Sequence, residues 1–265
     1  MTYLRVSVSW DTFLEQARRH FDVILGEAED DCRRVFARAG FDPVPMKHAW
    51  AAIEHRVSEL ETKIRRTWHE EVDRALALQG VDETVRAHER AKSQRLLDYI
   101  EVERERTRIR IYADTARSLF EAGVRYAGIP ACTRCTGTLT VPFTFRKLDI
   151  RCARCTEMNG YEPTGRRRLP DVFVHAICEE AAFCEWLEKL RRERDWRRAN
   201  PRTIALLKAW ERAEIAYLKM YIERRERILP HTVPRAELTG RMRSFYERVE
   251  REPAWISAGR PRELG

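Results

Sequence analysis

Apolar side chains recur every three or four positions over most of the first 80 residues, which predicts long amphipathic helices. The first stripe contains Trp10, Phe13, Ala17, Phe21, Ile24, Ala28, Cys32, Val35 and Ala39. We expect Ser9 to cap this helix and Gly40, followed by Phe41-Asp42-Pro43, to end it.

A second stripe begins after the Pro-Val-Pro turn at 43–45 and predicts a helix that ends at Gly80. Its members are Trp50, Ile53, Val57, Leu60, Ile64, Trp68, Val72 and Leu76. Two long helices joined by a short turn are expected to pack antiparallel.

A third helical pattern runs from about Asp82 toward Gly123. Residues 101–108 are charged nearly all round, which is typical of a solvated helix face supported by i,i+3 ion pairs such as Glu105 with Arg108. Residues 108–112 also alternate polar and apolar, as a strand would.

Helical patterns resume at Asp171, break at Asn200-Pro201, continue to Leu229 and form a last segment from about Arg235 to Glu252. Between the helical parts, Leu139-Thr-Val and Phe143-Thr-Phe alternate as short β-strands would. The predicted fold is mainly α: an antiparallel bundle of long helices with a small β module inserted.

The same pattern predicts how the chain is divided. We expect an N-terminal helical region at 1–124, the inserted module with basic flanks at 125–169, a C-terminal helical region at 170–252, and a flexible tail at 253–265. Neither a secretory leader nor a run of 18 apolar residues is evident, so we expect a soluble cytoplasmic protein without a membrane partner.

Four of the seven cysteines form the strongest chemical signal in the sequence. Cys132-x₂-Cys135 is followed, after sixteen residues, by Cys152-x₂-Cys155. Each pair can place two thiolates on one ion, and four sulfurs close a tetrahedral shell without an open position for water. The spacing predicts one structural Zn²⁺. The other cysteines, Cys32, Cys178 and Cys184, fall within helical patterns, and this usage fits a reducing compartment.

The segment from about 130 to 162 resembles a zinc ribbon. Each Cys-x₂-Cys turn of a ribbon is called a knuckle, and in the usual ribbon a glycine soon follows the second cysteine of each knuckle. Gly137 fits this pattern. Gly160 lies five residues after Cys155, so the second knuckle departs from it. Rubredoxin-like iron uses the same four ligands, but its Cys-Pro-x-Cys-Gly form is absent. The resemblance implies a structural zinc and leaves function open, because ribbons bind DNA, RNA or protein, or only staple a loop.

The charge around this module suggests a partner. Residues 125–169 hold 9 basic and 3 acidic residues, whereas residues 1–124 hold 21 and 23. We expect sequence-independent contact with the backbone of DNA or RNA through Arg134, Arg146, Lys147, Arg151, Arg154, Arg166, Arg167 and Arg168. Phe143, Phe145 and Tyr161 could stack on bases. Alternatively, the arginines pair with acids of the long helices and the aromatic rings cover the module's thin core.

A second basic stretch, Lys189 to Arg202, contains seven basic residues. Cations are favoured at the C-terminus of a helix by its dipole, and the Asn-Pro that follows Ala199 indicates such an end. Trp196 and Trp255 have basic or polar neighbours and could anchor a partner.

Catalytic signatures are missing from the sequence. The segment from His69 to Asp73 lacks the second histidine of His-Glu-x-x-His, and no Gly-rich phosphate loop or Gly-x-Ser-x-Gly elbow is present. Cys178 and Cys184 lie on an apolar helical pattern, as small buried hydrophobes would. We therefore expect a non-catalytic zinc-binding component of a cytoplasmic nucleoprotein assembly. The alternative is a protein–protein adaptor or homo-oligomeric scaffold with a purely structural ribbon.

Overall fold

The structure is a computed structural model that describes residues 3–125, 130–141, 147–162, 174–228 and 234–250. It is mainly helical, with a small antiparallel sheet in the middle of the chain, as the hydrophobic pattern predicts. The chain divides into two compact units between Ser118 and Leu119. Within the described ranges, no helix combines the length and apolar character that a membrane span requires.

Long helices build the first unit. Helix α1 spans Tyr3–Arg38 and α2 spans Pro43–Thr67. Helix α2 continues through a π-helical turn, Trp68–Val72, into α3, Asp73–Leu78. Helix α4 spans Glu83–Arg125 and passes the boundary between the units.

Side-chain contacts give the direction of each helix in this unit. The ring centroids of Trp10 and Trp68 are 5.7 Å apart, which places the end of the second helical segment beside the start of α1. Trp10 Nε1 also donates to the Glu89 carbonyl (3.2 Å), and the Tyr99 hydroxyl donates to Asp22 (2.9 Å). The antiparallel packing predicted for the first two helices is therefore confirmed, and α4 runs parallel to α1.

The predicted apolar stripes form the core of this unit. All eight members of the second stripe, Trp50 to Leu76, are buried. In α1, Leu14 and Phe36 take inward positions, whereas the predicted Phe13 and Val35 are half-buried. Steps of four residues, as from Leu60 onward, rotate a stripe by about 40° each on an α-helix. The wider π-turn at Trp68–Val72 compensates for this rotation and keeps the stripe facing the core.

The turn after α1 follows its residues. Gly40 and Phe41 have left-handed φ angles of 62° and 67°, and their N–H groups donate to carbonyls of the last turn of α1. Asp42 then caps α2, because its carboxylate accepts a hydrogen bond from the Val44 N–H (2.9 Å).

The structure agrees with one predicted helix start and corrects another. Helix α4 begins where the pattern predicted, and Asp82 caps it by accepting from the Thr84 N–H (2.7 Å). Ser9 is not a cap but lies inside α1, since the buried stripe extends back to Val6. Residues 108–112, whose alternation also fits a strand, are helical within α4.

The second unit contains α5 (residues 174–181), α6 (Phe183–Arg198), α7 (Ile204–Ile228) and α8 (Pro234–Glu250). The break predicted at Asn200-Pro201 separates α6 from α7. The tail at 253–265 lies outside the described residues.

Ring contacts order the last three helices. Trp196 near the end of α6 lies 5.3 Å from Trp210 in the first half of α7, and Trp210 lies 4.9 Å from Phe245 in α8. Arg241, earlier in α8, lies over the ring of Tyr221, later in α7. Each of these helices is therefore antiparallel to the next. Two buried clusters hold them together, one around Trp210 and one around Tyr221.

The sheet of the second unit has two strands. Strand β1, Leu148–Arg151, pairs antiparallel with β2, Met158–Tyr161. Residues 139–141, predicted to form a strand, do not; an isolated bridge joins Ala131 to Thr138 instead. Residues 143–145 lie outside the described part of the chain.

Candidate metal centre and its basic surface

Each cysteine pair lies in a tight backbone turn. In the first knuckle, the Cys132 N–H donates to the Gly137 carbonyl (2.8 Å) and the Thr136 N–H donates to the Cys132 carbonyl (3.0 Å). The second knuckle repeats both bonds, at 2.8 and 2.9 Å, around Cys152. The two knuckles thus have the same turn. Each turn connects two residues that pair antiparallel, Ala131 with Thr138 and Arg151 with Met158.

A threonine follows the second cysteine of each knuckle in an uncommon conformation. Thr136 and Thr156 have φ angles of 55° and 60°, a region that β-branched residues rarely adopt. Each hydroxyl donates to the carbonyl of the preceding cysteine at 2.7 Å, which holds the turn closed. Such strain persists only where the surrounding structure requires it, and here it aims both thiols of each knuckle at one point.

The four sulfur atoms meet at that point. Cys132 Sγ lies 3.5 Å from Cys155 Sγ, and Cys135 Sγ lies 3.7 Å from Cys152 Sγ. All four sulfurs lie within 4.8 Å of one another. A tetrahedron with metal–sulfur bonds of about 2.3 Å has edges of about 3.8 Å, so these side chains could hold one metal ion. The predicted ligand set is brought together by the fold.

Backbone hydrogen bonds prepare the thiols for metal. The Cys135 N–H is the main cause that lowers the pKa of Cys132, to about 6, and the Cys155 N–H lowers the pKa of Cys152. The Glu157 N–H acts the same way on Cys155, but burial and the other three sulfurs outweigh it and raise this pKa to about 12. Four thiolates cannot share so small a space without a cation to balance their charge.

Asn159 completes the site and was not predicted from the sequence. It is buried in β2, and its Nδ2 donates to Cys132 Sγ (3.5 Å) and to the Glu157 carbonyl (3.0 Å). Its Oδ1 accepts from both the N–H and the hydroxyl of Thr133, at 2.9 and 3.0 Å. Asn159 therefore ties the second knuckle to the first and orients a ligand sulfur, a role typical of residues around metal sites.

The two knuckles differ at one position. Gly137 follows Thr136 in the first knuckle, and Glu157 follows Thr156 in the second. A Cβ on Gly137 would lie 3.2 Å from Cys135 Sγ, so the first knuckle needs a glycine there. Gly160, which the sequence singled out by its distance from Cys155, is part of β2 instead.

Among its described residues, this module has a very small apolar core. Apart from the cysteines, that described core consists of buried Leu139 and half-buried Val141. A module with so little apolar burial cannot offset the entropy of ordering its chain, and small domains of this kind depend on a metal or disulfides. No disulfide joins the four sulfurs. The donor set and the thin core both fit a bound metal ion.

Four of the eight predicted nucleic-acid-binding residues are described, and all four are exposed: Arg134, Lys147, Arg151 and Arg154. Arg134 pairs with Glu157 at 3.3 Å, within the module itself. Among the described residues, Lys147, Arg151 and Arg154 have no carboxylate partner. The other four, Arg146, Arg166, Arg167 and Arg168, lie outside the described residues, as do Phe143 and Phe145.

The second basic stretch has a different environment, because acids of the same helix neutralise much of it. Arg192 pairs with Glu188 at 2.6 Å and Arg197 with Glu193 at 2.8 Å. Lys189 reaches across to Glu214 on α7 at 3.1 Å.

Trp196, interpreted from the sequence as a partner anchor, is a core residue. It is buried against Trp210, and the guanidinium of Arg202 lies 4.7 Å from its ring. Its basic sequence neighbours point elsewhere on the helix. Cys178 is buried as predicted, whereas Cys184 is exposed. It lies two residues from both Ala182 and Trp186, which pack against the core, and therefore on the opposite face of the helix. Trp255 lies outside the described residues.

No protein-family model, curated protein or solved structure matches this chain.

Proposed function

We propose that this chain is a non-catalytic zinc protein whose ribbon holds the sugar–phosphate backbone of DNA or RNA within a cytoplasmic nucleoprotein assembly. Zinc is the proposed ion because four thiolates close a tetrahedral shell, which suits an ion without redox chemistry or open coordination sites. The ribbon then acts as a rigid mount for its cations.

One observation supports this function above the others. The described cations of the ribbon are exposed, and none of them pairs with an acid of the long helices. Lys147, Arg151 and Arg154 lie on or directly beside the β1–β2 hairpin, which a metal ion bound by the four cysteines would hold rigid. Cations that are already ordered and are not paired with acids lose little conformational entropy when they bind phosphates. Their binding releases the counterions of those phosphates.

Binding of this kind is independent of sequence. Phosphate contacts carry no base information, and the knuckles offer no helix that could enter a major groove. We therefore expect similar affinity for strands of different sequence and a steep dependence on salt concentration.

The test is a substitution of two ribbon arginines. Arg151→Gln with Arg154→Gln in the zinc-loaded full chain removes two positive charges, and with them two phosphate contacts, while both side chains stay polar. Fluorescence anisotropy with a labelled single strand, from about 50 to 200 mM salt, should show affinity falling at least about tenfold. The slope of log K against log salt should fall in magnitude by about 1.4, which is two contacts at about 0.7 each.

The matched control is Arg19→Gln with Arg33→Gln on α1. These arginines are exposed, and each pairs with an acid of its own helix, so the change in net charge is the same. The control should bind like the unaltered protein. If both double variants have the same affinity and salt slope, the ribbon is not the contact surface.

A protein–protein adaptor is the second candidate, favoured by Met158. Its side chain is 56% exposed on β2 and lies opposite Arg151 in the sheet. An exposed thioether on a rigid module suits contact with a protein. Met158→Gln, which is polar but adds no charge, should then dissociate a nuclease-resistant complex or homo-oligomer, read by light scattering, while the affinity for nucleic acid stays the same.

A further inference from the structure

A groove of about 500 Å³ opens in the second unit among α6, α7 and α8. Its floor is α7, through Glu214, Tyr217 and Leu218, and its sides include Trp186 on α6 and Arg241 on α8. The volume is within the range of about 300–1,000 Å³ that small-molecule sites occupy. None of its lining residues belongs to the ribbon.

The floor contains a polar group that lacks a partner. Tyr217 is 7% exposed, and within the described residues its hydroxyl makes no hydrogen bond. Burial, followed by the nearby Glu179 carboxylate, raises the pKa of Tyr217, so the hydroxyl keeps its proton. Beside it, Glu214 Oε2 is buried and, apart from the ion pair with Lys189, has no partner within the described residues. A buried acceptor without a hydrogen bond is costly, and a ligand in the groove could supply that bond.

An ion pair beside Tyr217 adds hydrogen-bonding capacity. Both carboxylate oxygens of Glu214 lie 3.1 Å from Lys189 Nζ, with the two side chains 5% and 16% exposed. A carboxylate can accept about four hydrogen bonds and an ammonium group can donate three, so this pair leaves acceptors and donors unused. The floor thus presents a donor, an acceptor and a hydroxyl that can do either.

Gly240 keeps one side of the groove open. It lies within α8, where glycine is less favourable than any residue except proline. A Cβ at this position would meet nothing within 4 Å, so no packing contact requires the glycine. The absence of a side chain at Gly240 leaves space in the groove.

We infer that this groove binds a purine nucleotide, either free or as a unit of a single strand. The base would stack on Trp186, and its edge, which carries both N–H donors and ring or carbonyl acceptors, would bond to Glu214, Lys189 and Tyr217. Lys189 and Arg241, which both line the groove, would supply the positive charge that the phosphate requires.

Other ligand classes fit these groups less well. A purely apolar molecule would leave the hydroxyl of Tyr217 and the carboxylate of Glu214 without bonds. A simple anion would make no use of Trp186 and would be repelled by Glu214. A planar ring with mixed donors and acceptors uses all of them.

The test is calorimetric titration of the zinc-loaded full chain with GMP and AMP, with ribose 5-phosphate as the control without a base. At least one nucleotide should bind with a Kd below about 1 mM, and at least about tenfold tighter than ribose 5-phosphate. Gly240→Phe should weaken this binding at least about tenfold by filling the groove, whereas Gly240→Ala should change it less than about twofold. Both replacements favour the helix, so the thermal midpoint should not fall.

Three results would overturn the inference: no binding of either nucleotide at about 1 mM, equal binding of ribose 5-phosphate, or unchanged affinity in Gly240→Phe. Tyr217→Phe keeps the ring and should weaken binding about fivefold, as the loss of one hydrogen bond does.

The ribbon variant separates this inference from the proposed function. Arg151→Gln with Arg154→Gln should bind GMP or AMP normally, even though it loses affinity for long strands. In that variant, a short purine oligonucleotide that binds at least about tenfold tighter than the mononucleotide identifies a strand as the source of the purine. Equal affinities identify a free nucleotide.

Discussion

The residue after each knuckle threonine, Gly137 or Glu157, gives the arginines of the two knuckles different environments. Arg134 lies beside Glu157, which neutralises it, whereas Arg154 lies beside Gly137, with its Cδ 3.4 Å from where a Cβ would be. Within the described residues, the same turn therefore presents one paired and one unpaired cation. Under the proposed function, a single side chain, Glu157, decides which of the two cations would contact phosphate.

Replacing that side chain should release the paired cation. Glu157→Gln keeps its size and backbone hydrogen bonds but frees Arg134, which is 69% exposed, for phosphate. We expect tighter binding to single strands and a salt slope larger in magnitude by about 0.7, measured by anisotropy across a salt series.

Asp149→Asn is the control for Glu157→Gln. It removes the same charge from the same module, on a residue that has no described ion pair. Both variants should gain affinity from the lower negative charge, but only Glu157→Gln should change the slope by a full contact. Equal slopes would mean that Arg134 contacts no phosphate.

Gly137 and Gly160 allow a second test at this scale. Gly137→Ala forces a methyl group to within 3.2 Å of Cys135 Sγ, whereas at Gly160 the nearest atom is an Asp149 oxygen at 3.9 Å, an ordinary contact. A ligand sulfur held by a metal cannot shift freely, so Gly137→Ala should lower zinc affinity by about 10–100-fold. Gly160→Ala should leave it nearly unchanged.

Competition with a chromophoric zinc chelator measures both affinities. The comparison is well matched because the two substitutions add the same methyl group to the same module. If Gly160→Ala weakened zinc binding as much as Gly137→Ala, the effect would come from glycine flexibility rather than from crowding at the sulfur.

At the scale of elements, the long helices could be predicted because many residues contribute to each stripe. Every member of the stripe from Trp50 to Leu76 is buried. The π-turn at Trp68–Val72 could not be predicted, because it changes the hydrogen-bond pattern without interrupting the apolar period.

The strands could not be predicted from residue pattern in the same way. Strand β2, Met158–Tyr161, has an exposed methionine, a buried asparagine and a glycine, which is not a pattern of strand propensity. It forms because the second knuckle connects it to β1, and because Asn159 forms hydrogen bonds with Thr133 and Cys132 of the first knuckle. The four cysteines of the candidate metal site were predictable from their spacing alone. Asn159 was not, because its role depends on a contact across the module.

Metal removal should affect the ribbon and leave the helices folded. Within the described ribbon, only Leu139 and Val141 supply apolar core beyond the cysteines, whereas α1 and α2 bury stripes along their full length. Chelation at neutral pH should therefore abolish the hydrogen-exchange protection of residues 130–162. Far-UV circular dichroism should change little.

The reference for this measurement is the same protein after zinc is restored, which should recover the protection. Metal analysis of the purified chain should give one zinc per chain; iron in its place would contradict the assigned ion. Loss of most helical signal on chelation would mean that the metal supports more of the fold than the ribbon.

At the scale of the whole molecule, charge is divided unevenly. Residues 1–124 hold 21 basic and 23 acidic residues, and arginines of α1 such as Arg19 and Arg33 pair with acids of their own helix. Residues 125–169 hold 9 basic and 3 acidic residues. Under the proposed function, a polyanion would be attracted to the second segment and would gain little from the first.

Hydrogen exchange of the full chain with a single strand should therefore place protection in residues 130–162 and none in α1 or α2. The protection should weaken with salt, because it depends on counterion release. It should also be lost in Arg151→Gln with Arg154→Gln, which removes the contacts and leaves the metal site intact. Protection that instead appears in α1 or α2, in the absence of nucleic acid and at rising protein concentration, would identify a helical contact between chains. Because salt weakens the first pattern and not the second, one titration distinguishes a nucleic-acid surface from a scaffold.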